Sequence, residues 1–140
     1  MKPSLIDTNI LSMFFKNHPI VTSHFKSYLS EYPSVNLSIL TYFEIVSGLK
    51  HRDAQQRLER FIDFVKKNTL MYLTEQSVLI SGDLYAQLRK TGNPIDDIDL
   101  LIAGIALENQ LVLVTNNRRH FERIPQLEIM DWSSAASSFK

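Results

Sequence analysis

Short apolar runs alternating with stretches of helical periodicity leave this chain few ways to fold. The clearest run is "LVLV" (111–114); residues 3–6, "VNLSI" (35–39) and "TLMYL" (69–73) are the others. Each is bounded by polar residues, the pattern of a buried strand. Between them, Leu58, Phe61, Ile62 and Val65 fall at i, i+3, i+4 and i+7, which predicts an amphipathic helix within 53–67. Ile80, Leu84 and Leu88 repeat every four residues within 75–90, and "TGNP" (91–94) stops that helix. "DLLIAGIALE" (99–108) is apolar nearly all round and predicts a buried helix, with Ala103, Gly104 and Ala106 allowing close approach. Strands alternating with helices predict a three-layer α/β/α sandwich around a mostly parallel sheet. At 140 residues, one domain over 1–140 is expected.

Fifteen basic and fifteen acidic residues cancel. Neutrality argues against broad, nonspecific coating of nucleic acid, but it allows a small acidic site with local cations around it. The absence of cysteine excludes disulfides, thiolate catalysis and Cys-type zinc sites. No run approaches the ~18 apolar residues of a membrane span. The first residues, interrupted by Pro3 and Asp7, do not read as a signal peptide. The expected setting is the cytoplasm, with no membrane partner.

Acids gather at the element boundaries. Asp7 follows the first strand, Glu44 lies in the helix after the second, and Asp96, Asp97 and Asp99 open the buried helix. Asn116 and Asn117 follow "LVLV". Each has a local explanation: Thr41-x-x-Glu44 fits a capping box, Asp96 an N-cap, and Asp7 an Asx turn or a cap. Open parallel sheets, however, bind ligands beyond the carboxyl ends of their strands, where these acids would meet. Crowded carboxylates raise one another's pKa unless a cation joins them. Hard oxygen donors without cysteine or paired histidine favour Mg²⁺ or Mn²⁺, whose chemistry suits phosphodiester hydrolysis. No nucleophile elbow, Walker loop or dinucleotide fingerprint is present, and the four histidines lack metal-ligand spacing. A non-catalytic binding module and a DNA-directed nuclease stay open on the residues alone.

Four blocks in order, "LIDTNI", "LSILTYFEIVSGL", "DLLIAGIA" and "LVLVTNNRRHFERIP" followed by "LEIMDW", resemble PIN-domain ribonucleases. More narrowly, they are similar to VapC-type toxins of type II toxin–antitoxin pairs, over about residues 4–132. The resemblance implies a PIN fold and a Mg²⁺- or Mn²⁺-dependent endoribonuclease acting on tRNA or other structured RNA. It also implies a cognate VapB-like antitoxin and a homodimer. Carried over by motif, Asp7, Glu44 and Asp99 are the metal-binding acids, and Asn117 supports them. Where many members carry a further acid, this chain has Asn116, Asn117 and His120. Arg118, Arg119 and Arg123 follow the last core strand and are expected to meet the RNA backbone, with Lys50 and Arg52 after the Glu44 helix. In "ILSMFF" (10–15), consecutive helical residues lie ~100° apart, so Met13, Phe14 and Phe15 cannot all point inward. At least one is expected at the surface, in an interface with a second copy or the antitoxin.

Overall fold

A computed structural model describes residues 1–135. From β1 (Ser4–Ile6) the chain passes through α1 (Thr8–Phe15) and α2 (Pro19–Glu31) to β2 (Asn36–Ser38). It continues through α3 (Ile39–His51) and α4 (Gln55–Lys66) to β3 (Thr69–Met71). Next, α5 (Glu75–Lys90) and α6 (Asp97–Glu108) cross to β4 (Val112–Val114), and the one-turn α7 (Arg118–Phe121) precedes β5 (Ile129–Met130). The strands form one sheet in the order β3-β2-β1-β4-β5, every pair parallel. The α/β/α sandwich is as expected; the sheet is wholly rather than mostly parallel.

Successive residues of a strand face opposite sides of a sheet, and β1 uses both. Leu5 and Leu113 join Leu84, Leu88, Leu100 and Ile105 beneath α5 and α6. Ile6 and Val114 join Ile10, Leu11, Phe25, Phe61 and Trp132 beneath the helices of the first half. With both faces covered, β1 and β4 are buried along their whole length.

The strand order reverses between β1 and β4. The chain first builds outward from β1 to β3, then returns to lay β4 on the other side of β1. Such a switch point opens a crevice at the carboxyl ends of the two strands, because the helices that follow them depart to opposite faces.

Candidate active site

At that crevice Asp7 is the N-cap of α1. Its Oδ1 accepts from the Thr8 N–H at 2.8 Å. Its backbone N–H donates to the Val114 carbonyl, which ties the cap to β4. The register pairs Ile6 with Val114, so one step further sets Thr115 beside Asp7. The Thr115 hydroxyl accordingly donates to Asp7 Oδ2 at 2.8 Å. Asp7 is only 5% exposed. Its carboxyl is pushed up to about 6, chiefly by burial, with the two hydrogen bonds opposing the rise and the charges of Asp99 and Glu44 adding to it. The cap and the charged site, alternatives in the sequence, are one residue here.

Glu44 approaches from the β2 side. Ser38, not Thr41, caps α3 by accepting from the Thr41 N–H at 3.1 Å, so the Thr41–Glu44 capping box does not form. Glu44 is thereby left in the second turn, where its Oε1 accepts from the Thr8 hydroxyl at 2.6 Å. Thr8 Oγ1 also lies 3.0 Å from the buried Thr41 hydroxyl. One hydroxyl thus joins the start of α1 to Glu44.

Asp99 approaches from the other face, in the first turn of α6. Asp96 caps that helix, its Oδ2 accepting from the Ile98 N–H at 3.1 Å. Asp97 instead borders a separate shallow pocket with Val78 and Tyr85. Asp99 Oδ2 lies 3.1 Å from His120 Nδ1 and 3.5 Å from Asn117 Nδ2, while the two nitrogens are 2.9 Å apart. A proton on Nδ1 is best used toward the carboxylate, which leaves the Asn117 amide to donate to Asp99 as well. Burial raises the Asp99 carboxyl above its usual range, the bond to His120 opposes this, and the charge of Asp96 adds to it. The Asn117 N–H donates to Thr115 Oγ1 at 3.0 Å, and Asn9 Nδ2 donates to Asn116 Oδ1 at 3.2 Å. The first bond closes the turn after β4, and the second fastens that turn to the start of α1.

Asp7, Glu44 and Asp99 therefore border one edge, each with partners of its own, and Asp97 does not. Among the described residues, no three His, Cys, Asp or Glu side chains form a ready metal cage. Thr8, Thr115 and His120 are the participants that motif reasoning leaves out. Thr115 is recoverable from strand register, and His120 from its place three residues after Asn117. Arg118 and Arg119 lie on the α7 turn rather than on a loop, both exposed. Arg118 Nε donates to Glu122 at 3.3 Å, and Arg123 Nη1 donates to the Pro94 carbonyl at 2.8 Å.

Residues 4–127 match the PIN domain family. The chain belongs to that family. Ribonuclease VapC1 of Haemophilus influenzae (strain R2866) is 32% identical to this PIN domain over 130 residues, 92% of this chain and 97% of its own. The tRNA(fMet)-specific endonuclease VapC of Salmonella typhimurium is also 32% identical, covering 91% of this chain and 96% of its own. Among solved structures, DNA-bound VapBC from Salmonella typhimurium superposes with a TM-score of 0.83 at 31% identity, covering 94% and 99% of the two chains. The resemblance to VapC-type PIN domains read from four sequence blocks therefore holds along most of the chain.

Proposed function

We propose that this PIN domain is the toxin of a type II toxin–antitoxin pair, an endoribonuclease that hydrolyses phosphodiester bonds in RNA with Mg²⁺ or Mn²⁺. The observation that carries the reading is the buried Asp7 at the switch point, with Asp99 and Glu44 close enough for their charges to act on it. The names of its relatives, ribonuclease and tRNA-specific endonuclease, support RNA, and tRNA or another structured RNA in particular. The VapBC structures it resembles support a VapB-like antitoxin as partner. A homodimer belongs to the same proposal, as does a cytoplasmic setting. No helix among the described residues is long and apolar enough to cross a membrane.

The donor chemistry fits a hard divalent cation, since the edge offers carboxylate oxygens, two of them on groups that resist ionisation without a neighbouring positive charge. Asp7, Asp99 and Glu44 would hold the ion, which when bound supplies charge stabilisation and a more acidic water. Thr8 and Thr115 fix the Asp7 carboxylate, so its oxygens need little rearrangement. Glu44, exposed and anchored through one oxygen, can also orient the attacking water with the other. Asn117 and His120 hold Asp99 in place from behind. Arg118 and Arg119 flank this edge on the β4 side, and with Arg123 they would meet the RNA backbone.

Asp7→Asn and Asp99→Asn should each reduce Mg²⁺-dependent cleavage of total tRNA by at least ~100-fold and relieve growth inhibition, with the fold retained. Cleavage by purified protein, with chelator controls, measures this. Full activity in either variant would remove that acid from the reaction.

A further inference from the structure

A cavity opens from the site on the β2 side, opposite the α7 arginines. It encloses about 700 Å³ and begins at Thr8 and Glu44. Beyond them its walls carry four cations: Lys16 from the end of α1, Arg52 from the end of α3, and Arg57 and Arg60 from α4. Among the described residues, none of the four has an acid within ion-pair distance. Arg52 lies along α3 beside Gly48, where a Cβ would sit 3.5 Å from Arg52 Nη1. Phe15 and Phe61 contribute apolar wall, and Phe15 is 40% exposed.

Unpaired cations lining a concave surface favour an anion, and their continuity with the acidic edge restricts which one. We infer that this cleft receives the stretch of single-stranded RNA on one side of the scissile phosphate. Its phosphates would lie against Lys16, Arg52, Arg57 and Arg60, and a base would lie against Phe15. The inference rests on the ribonuclease reading and gives it a direction: the strand crosses β1 from the α7 side and descends between α1, α3 and α4. The volume suits a nucleotide with its flanking phosphates, not a duplex. An exposed ring beside a cationic track is how proteins hold unpaired strands regardless of sequence.

The test uses the full chain carrying Asp7→Asn, so that binding is read without cleavage, and fluorescein-labelled oligouridylate of about 12 nucleotides. Affinity is measured by anisotropy across a salt series in Mg²⁺. Arg57→Ala with Arg60→Ala should weaken binding more than tenfold and reduce the salt slope by about 1.4, at ~0.7 per single-strand phosphate contact. Lys66→Ala with Lys67→Ala removes the same charge from exposed positions outside the cleft and should leave the slope unchanged. Arg57→Lys with Arg60→Lys should keep it, and Arg52→Ala offers an independent loss on α3; unchanged melting temperatures certify the fold of each. Equal losses in the cleft and control pairs, or no loss in either, overturn the assignment. Loss of poly-L-glutamate binding with the RNA slope intact also overturns it, in favour of an acidic polypeptide. If the parent chain cleaves RNA while the cleft variants bind normally, only the cleft assignment falls. A parent that neither binds nor cleaves RNA takes the ribonuclease reading down with it.

Discussion

An ionised Asp7 has the Thr8 N–H and the Thr115 hydroxyl to hold it, set against near-complete burial and two neighbouring acids. Burial prevails, so between pH 3.8 and about 6 the native state keeps a proton that the unfolded chain has already released. Stability of the metal-free protein should therefore be greatest below that window and fall as pH rises through it. The cost at neutral pH is on the order of 3 kcal/mol. Asp7→Asn, which carries no charge, should raise the melting temperature of metal-free protein at neutral pH and change it little near pH 4. Millimolar Mg²⁺ or Mn²⁺ should stabilise the parent and not the variant, because an ion bound only by the native state acts by mass action. Thermal scans at the two pH values, with matched ionic strength, check both. A variant less stable than its parent at neutral pH would mean that the hydrogen bonds outweigh burial.

The α5–α6 pair places Asp99, and its spacing depends on one glycine. A Cβ on Gly104 would lie 2.1 Å from Ser81 Oγ and 2.5 Å from the Ser77 carbonyl. Ser81 in turn donates to the Ser77 carbonyl at 3.0 Å or to the Leu100 carbonyl at 2.8 Å, so the contact is polar as well as tight. Gly104→Ala should cost roughly 1–3 kcal/mol by overpacking. Ser81→Ala should not rescue it, since the backbone oxygen of Ser77 remains; chemical denaturation of the single and double variants decides this. This packing is legible in "DLLIAGIALE", whose small residues mark close approach, and α5 runs over the predicted residues 75–90. Neither α2 nor β5 is legible. α2 carries Ser23, His24 and Ser27 among its apolar residues, which blurs its stripe, and β5 has two residues and no run to announce it. The acids could be read because strand ends concentrate chemistry. Their partners Thr8, Thr115 and His120 are harder to read, because a hydroxyl or imidazole declares its role only once register and helix phase bring it to a carboxylate.

For the whole molecule, the segment 10–15 divides as helical geometry demands. Ile10 and Leu11 are buried, Phe14 stacks on Phe25 at 4.0 Å, and Phe15 stays 40% exposed while packing edge-on against Phe61 and Phe64. Much of the aromatic run is therefore core, and Phe15, part of the cleft wall, is the most exposed of Met13, Phe14 and Phe15. If the proposed homodimer or antitoxin complex uses it, Phe15→Ser should weaken that assembly at least tenfold while lowering monomer stability by about 1 kcal/mol. Light scattering of the purified chain, alone and with the antitoxin, measures this; assembly indifferent to the change would clear the segment. One further consequence follows from the bond between Thr115 and Asp7, which are 108 positions apart in the chain. Translation delivers the acid early and its hydroxyl very late, and β1 has no β4 to pair with in the meantime. On the ribonuclease reading, a ribosome making this protein would carry an inactive chain for most of its synthesis. Arrested nascent chains ending before residue 112 should be protease-sensitive around Asp7, and protection at that stage would show that the first half folds without β4.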